Sequence, residues 1–253
     1  DTPVGIAKSM ALGLAGVAEA FEELQPDIIV MLGDRFELLA AASAALVSKI
    51  PIAHLHGGET TEGAFDEAIR HSITKMSHLH YTATEDYRKR VIQLGEHPNR
   101  VFNVGALGID NINKLPLLTE IEFVKRIGLE LGKRNLMVTF HPATLDSGTP
   151  ADQFGELLKA LDELESTHLF FTKANADTDG RIINEMIDEF VLTRPLKSVA
   201  HTSLGKLAYL SALQWVDGVV GNSSSGLIEG PSFHIGTINI GDRQKGRIRA
   251  NSV

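Results

Sequence analysis

Short apolar runs rich in β-branched residues alternate with stretches of helical periodicity along most of the chain. Asp27 to Leu32, Pro51 to Leu55, Leu79 to Ala83 and Val101 to Val104 read as strands, each followed by a turn or a helical pattern. The rhythm resumes at Leu136 to Thr139, His168 to Thr172, Ser198 to His201, Val216 to Val220 and Thr237 to Ile240. Strands separated by helices need crossover connections, and these build parallel sheets. Gly105 to Thr119, with Gly105, Gly108 and Pro116 around a weakly periodic stretch, reads as the linker between the two sets. The pattern predicts an α/β protein of two doubly wound, Rossmann-like domains facing a cleft, residues 1–113 and 114–253. The chain opens on a helical pattern, Ile6 to Glu23, and stops at Arg249 to Val253 just past a strand and loop. A first βα unit and closing C-terminal helices are therefore expected to be missing.

Composition narrows the function classes. With 253 residues, 43% of them hydrophobic, the chain can build one large core or two modest ones. Apolar runs such as Ile28 to Leu32 and Val216 to Val220 fall far below the roughly 20 residues of a membrane span, and no basic-then-apolar leader is visible, so no membrane partner is expected. The lack of cysteine excludes disulfides and thiolate metal sites and fits a reducing cytoplasm, the expected location. A net charge of -8 argues against nucleic acid, whose phosphates demand clustered Lys and Arg. A small anionic ligand held by local groups stays open.

Chemistry in such a fold gathers where strand carboxyl ends open into loops. After the first strand come Gly33, Asp34 and Arg35, placing Asp34 at a strand tip, as a ligand-facing acid or a helix N-cap. After the second comes the densest stretch of the chain, His54 to His71, where Gly57 and Gly58 bring backbone close to a ligand beside Glu59. Its helix is expected to begin near Phe65, so Glu67, Arg70, His71 and Thr74 share a face, either as a site or as solvated ion pairs. His54 and His56, two residues apart on a strand end, point the same way. They are candidate metal ligands, although hydrogen-bonding or core histidines are commoner. In the second half, His141 ends a strand before Pro142, and Asn175, Asp177 and Asp179 follow another as ligand groups or helix caps. Gly221 to Gly226, with Ser223, Ser224 and Ser225, opens a short helix containing Glu229 and suits phosphate. Gly241 to Arg247, including Arg243 and Lys245, concentrates positive charge in an acidic chain. Carboxylates thus dominate the first half's strand tips and phosphate-compatible groups the second's. That asymmetry points to a nucleotide-sugar with its nucleotide on the second half.

Gly33-Asp34-Arg35-Phe36-Glu37, His56-Gly-Gly-Glu59, Asp66-Glu67-Ala-Ile-Arg70-His71-Ser-Ile-Thr-Lys75, Gly221-Asn-Ser-Ser-Ser-Gly226 and Gly241-Asp-Arg-Gln-Lys-Gly-Arg247 together resemble the hydrolysing UDP-N-acetylglucosamine 2-epimerases of bacterial sialic acid synthesis. The resemblance runs in order over essentially the whole chain. It implies the glycosyltransferase-B type of fold, and conversion of UDP-N-acetylglucosamine to N-acetylmannosamine and UDP through a glycal. It implies Asp34, Glu59 and Glu67 as catalytic groups, with Asp66 as the substitute should the acidic pair slip by one. His141, Ser223 and Ser224 fall to the phosphates, Glu229 to the ribose, and Arg243 to closing over the ligand, while Asn175 and Asp177 match a regulatory region of animal relatives. No cofactor and no metal are implied, and the family forms homodimers or tetramers. The family's usual opening strand, with a Gly-Thr/Ser-Arg turn, does not occur here. A non-hydrolysing epimerase, a glycosyltransferase of the same fold and a nucleotide-sugar-binding protein without turnover stay as alternatives. Arg35 and Gly57-Gly58-Glu59 favour the hydrolysing branch.

Overall fold

The computed structural model describes residues 2–62, 65–142, 149–175 and 179–253, and these form two compact units that divide between Leu107 and Gly108. In the N-terminal unit, α1 (Pro3–Leu24) leads into β1 (Ile29–Leu32), α2 (Phe36–Val47), β2 (Ile52–Leu55), α3 (Asp66–Met76), β3 (Leu79–Thr82), α4 (Glu85–Gln93) and β4 (Val101–Asn103). The C-terminal unit holds α5 (Leu107–Lys114, beginning at the boundary), α6 (Glu120–Ile127), β5 (Arg134–Thr139), α7 (Pro150–Asp162), β6 (Thr167–Thr172), α8 (Gly180–Thr193), β7 (Ser198–His201), α9 (Gly205–Trp215), β8 (Gly218–Gly221), α10 (Ser224–Ile228) and β9 (Gly236–Asn239). Each of the predicted strands is present, within two residues at either end, and every pairing is parallel.

The first sheet runs in chain order, β1-β2-β3-β4, whereas the second runs β7-β6-β5-β8-β9. The second order reverses between β5 and β8, the place where open α/β sheets leave a crevice at their carboxyl ends. Burial on both faces explains why its strands are apolar without alternation. Met137, Phe170 and Val219 pack on one side with Phe123, Ala208 and Leu213. Val138, Phe171 and Val220 pack on the other with Phe154, Leu157 and Ile183. In the N-terminal unit, Met31 and Ile52 meet Phe36, Ala42, Ile69 and Ile73, while Val30 and Leu32 on the opposite face of β1 are exposed.

Two expectations change. The stretch Gly105 to Thr119 contains the helix α5, and Ile112, Leu115, Leu117 and Leu118 pack on the second core, so most of the expected linker is part of the C-terminal unit. Second, Pro3–Leu24 is long and apolar enough to cross a membrane by length and composition, which a search for unbroken apolar runs overlooks. Thr2 caps it by accepting from the Gly5 amide at 3.0 Å, and Ile6, Met10 and Phe21 pack against the N-terminal core.

Two buried histidines tie the N-terminal sheet together. His54 is fully buried on β2, and its Nε2 lies 2.8 Å from the Gly33 carbonyl oxygen. A carbonyl only accepts, so Nε2 carries the proton and Nδ1 accepts from the Thr74 hydroxyl at 3.2 Å. Burial pushes the His54 pKa down to about 4 against the pull of the Gly33 carbonyl. Its strand neighbour His80, also buried, is lowered by the same cause, with Glu96 opposing. The unfolded chain thus binds protons that the folded N-terminal unit refuses. Stability held above pH 6.5 is lost as pH falls towards 4, at up to about 1.4 kcal/mol per pH unit for each such histidine. Urea unfolding at pH 7 and pH 5 should show this loss, and His54→Gln should flatten it; an unchanged slope would remove His54 as its source.

Candidate functional site

In the N-terminal unit the chemistry gathers around one buried guanidinium. Arg70, one turn after Asp66 on α3, is 1% exposed. Its Nη1 donates to the Glu59 carbonyl oxygen at 2.8 Å, and its Nη2 donates to the Thr61 hydroxyl at 2.9 Å and pairs with the Asp34 carboxylate. Three segments from two strand tips and a helix thus converge on one fixed charge. Glu67 accepts from the Thr61 amide at 2.6 Å, so the same loop is tied to α3 twice. The predicted helical face divides by depth. Arg70 and Thr74 are buried, while Glu67 and His71 lie at its margin, 3.7 Å apart and beyond hydrogen-bond reach. Burial lowers the His71 pKa and Glu67 opposes it.

The loop geometry departs from expectation in instructive ways. Arg35, with extended backbone, occupies the N-cap position of α2, and Asp34 is spent on Arg70. Gly57 and Gly58 approach the protein's own atoms. A Cβ on Gly58 would sit 2.4 Å from the Tyr87 carbonyl oxygen, and one on Gly57 3.1 Å from both His54 Nδ1 and Thr74 Oγ1. Arg90 closes over this turn by donating to the Gly58 carbonyl oxygen at 2.5 Å. His54 and His56 serve different neighbours, because His56 has a left-handed φ of 63° that breaks the strand alternation. Its Nδ1 lies 2.7 Å from Glu59 Oε1.

The C-terminal unit has its own polar centre, built on an amide. Asn222, just past β8, accepts from the His141 amide and donates to the His141 carbonyl oxygen, both at 2.7 Å, clamping the tips of β5 and β8 at the reversal of strand order. Arg243 and the buried Gln244 donate to the Asn222 carbonyl oxygen at 3.2 and 2.8 Å, which brings in the loop after β9. The Asn175 amide donates to His141 Nδ1 at 3.4 Å. An amide only donates, so His141 carries its proton on Nε2. Ser223 caps α10 and Ser224 begins it. Glu229 stands one residue past α10, where a Cβ on Gly108 would come within 2.6 Å of its Oε1. Tyr209, pushed up to about 12 by burial, feels the Glu229 charge as well.

A family model described as UDP-N-acetylglucosamine 2-epimerase matches residues 1–253. The chain belongs to the UDP-N-acetylglucosamine 2-epimerase family. It is 44% identical, over its whole length and 66% of the relative's, to the "GDP/UDP-N,N'-diacetylbacillosamine 2-epimerase (hydrolyzing)" of Campylobacter jejuni subsp. jejuni. It is 46% identical, over 98% of its length and 63% of the relative's, to the "Polysialic acid biosynthesis protein P7" of Escherichia coli. The chain thus spans about two thirds of the length of these relatives. In fold it resembles the UDP-GlcNAc 2-epimerase of Neisseria meningitidis, whose structure was solved bound to UDP-GlcNAc, with a TM-score of 0.77 at 16% identity over 95% of this chain and 66% of that one.

Within this member of the epimerase family, the Asp34 carboxylate and the Glu59 carbonyl meet Arg70, Glu67 joins them through the Thr61 amide, His141 and Arg243 bond Asn222, and Asn175 bonds His141. Asp66 shares the first turn of α3 with Glu67. Glu229 lies just beyond the short helix expected to contain it, and Asp177 falls outside the described residues. Arg70 and Asn222 stood inside the quoted motifs without an assigned role. A residue type does not reveal that it will be buried at a convergence of loops. Replacing Arg70 with Leu leaves the Asp34 charge without its partner and should destabilise the protein by about 3–5 kcal/mol. Arg70→Lys, which keeps the charge and loses the fork, should fall between, as read by urea unfolding at pH 7.

Proposed function

We propose that this protein is a hydrolysing UDP-sugar 2-epimerase that converts UDP-N-acetylglucosamine to N-acetylmannosamine and UDP, supplying sialic acid synthesis. The observation that carries the reading is that the segments bearing Asp34, Glu59 and Glu67 are tied together at Arg70, by the Asp34 carboxylate, the Glu59 backbone carbonyl and the bond from the Thr61 amide to Glu67. Hydrolytic epimerisation at C2 needs acid and base groups on more than one side of the sugar ring. In the first half-reaction the C2 proton is removed while the C1–O bond breaks. The C2–H pair becomes the C1–C2 double bond, and UDP leaves with the C1–O pair. Bond breaking at C1 runs ahead of proton loss because C2–H is a very weak acid, and neighbouring carboxylates stabilise the resulting positive charge. In the second half-reaction water adds to C1 and a proton reaches C2 from the opposite face. No step changes the oxidation state of the whole, so none needs a redox cofactor.

The nucleotide falls to the C-terminal unit, with His141 donating from Nε2 to a phosphate oxygen, Ser223 and Ser224 on further phosphate oxygens, Glu229 on the ribose and Arg243 closing over the ligand. Asn175, bonded to His141, belongs to the same set. A second reading of the sugar is favoured by the 44% identical Campylobacter relative, whose name specifies N,N'-diacetylbacillosamine. Both sugars present the same C1–C2 chemistry.

Incubation with UDP-N-acetylglucosamine, or with UDP-N,N'-diacetylbacillosamine, in deuterated water decides the reaction by proton NMR. The expected products are UDP and the free 2-epimeric sugar deuterated at C2; undeuterated sugar, or sugar still joined to UDP, would sink the mechanism. Glu59→Gln should lower turnover by about 10²–10⁴ while UDP affinity stays within about threefold, because the proposed phosphate groups belong to the other unit. Loss of UDP binding in that variant would refute the division of labour.

A further inference from the structure

We infer that His56 is the group that exchanges a proton with the sugar, and that Glu59 reaches the substrate only through it. The inference rests on the 2-epimerase reading of the same site and deepens it. Four observations lead there.

Depth is the first. The Glu59 side chain is 5% exposed and the His56 side chain 16%, so the ring lies on the accessible side of the pair. Direction is the second. Glu59 Oε1 lies 2.7 Å from His56 Nδ1, while the Leu107 amide points at His56 Nε2 from 3.4 Å. A carboxylate accepts and an amide only donates, so the proton sits on Nδ1 and the unprotonated Nε2 accepts from the Leu107 amide through one long bond. Contrast with His54 is the third. His54 is fully buried with its nitrogens on the Gly33 carbonyl and the Thr74 hydroxyl, whereas the His56 ring is partly exposed and the bond at its Nε2 is long, at 3.4 Å. Backbone is the fourth. His56 holds a left-handed φ of 63° immediately after β2, a conformation strained for a non-glycine residue. It is held there by its own amide, which donates to the Tyr81 carbonyl oxygen at 2.8 Å, and by the two glycines after it, which leave no room for a Cβ. Strain kept at a strand tip, with Nδ1 on a carboxylate and an unprotonated Nε2 at the end of a long bond, is the arrangement of a general base backed by a carboxylate.

The step balances as follows. His56 Nε2 takes the C2 proton, the C2–H pair forms the C1–C2 double bond, and the C1–O pair departs on UDP. The imidazolium charge rests against the Glu59 carboxylate. After water has bonded to C1 and a different group has delivered a proton to the other face of C2, His56 returns its proton to solvent. Glu59 is thus a positioning residue and His56 the catalytic one.

The test uses the full chain and whichever of the two UDP-sugars wild type turns over. His56→Ala should lose about 10²–10⁴ in kcat with KM within about threefold, and added imidazole should restore turnover at least tenfold. Adding Glu59→Gln to His56→Ala should cost no more than about a further threefold, since residues acting as one unit are not additive. His56→Gln keeps an N–H for Glu59 but has no basic nitrogen; it should lose kcat equally with an unchanged urea midpoint, so the loss is chemical rather than structural. Retention of more than a tenth of wild-type kcat in either His56 variant would overturn the assignment. So would the absence of imidazole rescue in a folded His56→Ala. Failure of wild type to release free sugar would instead count against the epimerase reading itself.

Discussion

The N-terminal site depends on one constraint, that a guanidinium buried to 1% exposure must be met on every side. Arg70 meets it with a carboxylate, a carbonyl and a hydroxyl drawn from two different loops. Taking such a charge out of water costs several kcal/mol, so the partners are as constrained as the arginine. That is how loops that connection length alone would leave pliable become a fixed frame. Asp34, Glu59 and Glu67 lie on segments that meet at Arg70, and its positive charge is matched by the Asp34 carboxylate.

The C-terminal unit solves the same geometric problem without a buried charge. Asn222 spends one amide on both backbone groups of His141, and its own carbonyl oxygen gathers Arg243 and Gln244. A neutral clamp costs less to bury than an ion pair. Gly221 completes it, because a Cβ there would lie 1.8 Å from the Thr139 carbonyl oxygen. Each unit therefore has one organising residue that ties its strand-tip loops together, Arg70 on α3 in the first and Asn222 just past β8 in the second.

The fold was legible because doubly buried parallel strands leave runs such as Leu136 to Thr139 and Val216 to Val220 that few other elements produce. The α5 helix was less legible, since Gly108 and Pro116 speak for a loop while Ile112, Leu115 and Leu118 pack only once the second core exists to receive them. The acids of the site were legible by type and position after strands. Their organiser was not: Arg70 at helical spacing from Glu67 reads equally as a solvated ion pair. Gly57 and Gly58 were expected to bring backbone close to a ligand, whereas what approaches them is α4, His54 and Thr74, and sequence spacing does not reveal such distant neighbours.

His54 and His56 show how little of a side chain's role its type decides. Strand alternation puts two residues of period 2 on one face, and by that rule the pair shares an environment. A single left-handed φ at His56 ends the alternation. One ring is then driven inward, where burial holds it neutral at a pKa of about 4 and its two nitrogens tie the Gly33 turn that carries Asp34 to Thr74 on α3. The other is turned onto Glu59 with its second nitrogen accepting from the Leu107 amide. The two rings thus meet different surroundings within three residues, and the left-handed backbone at His56 is what separates them.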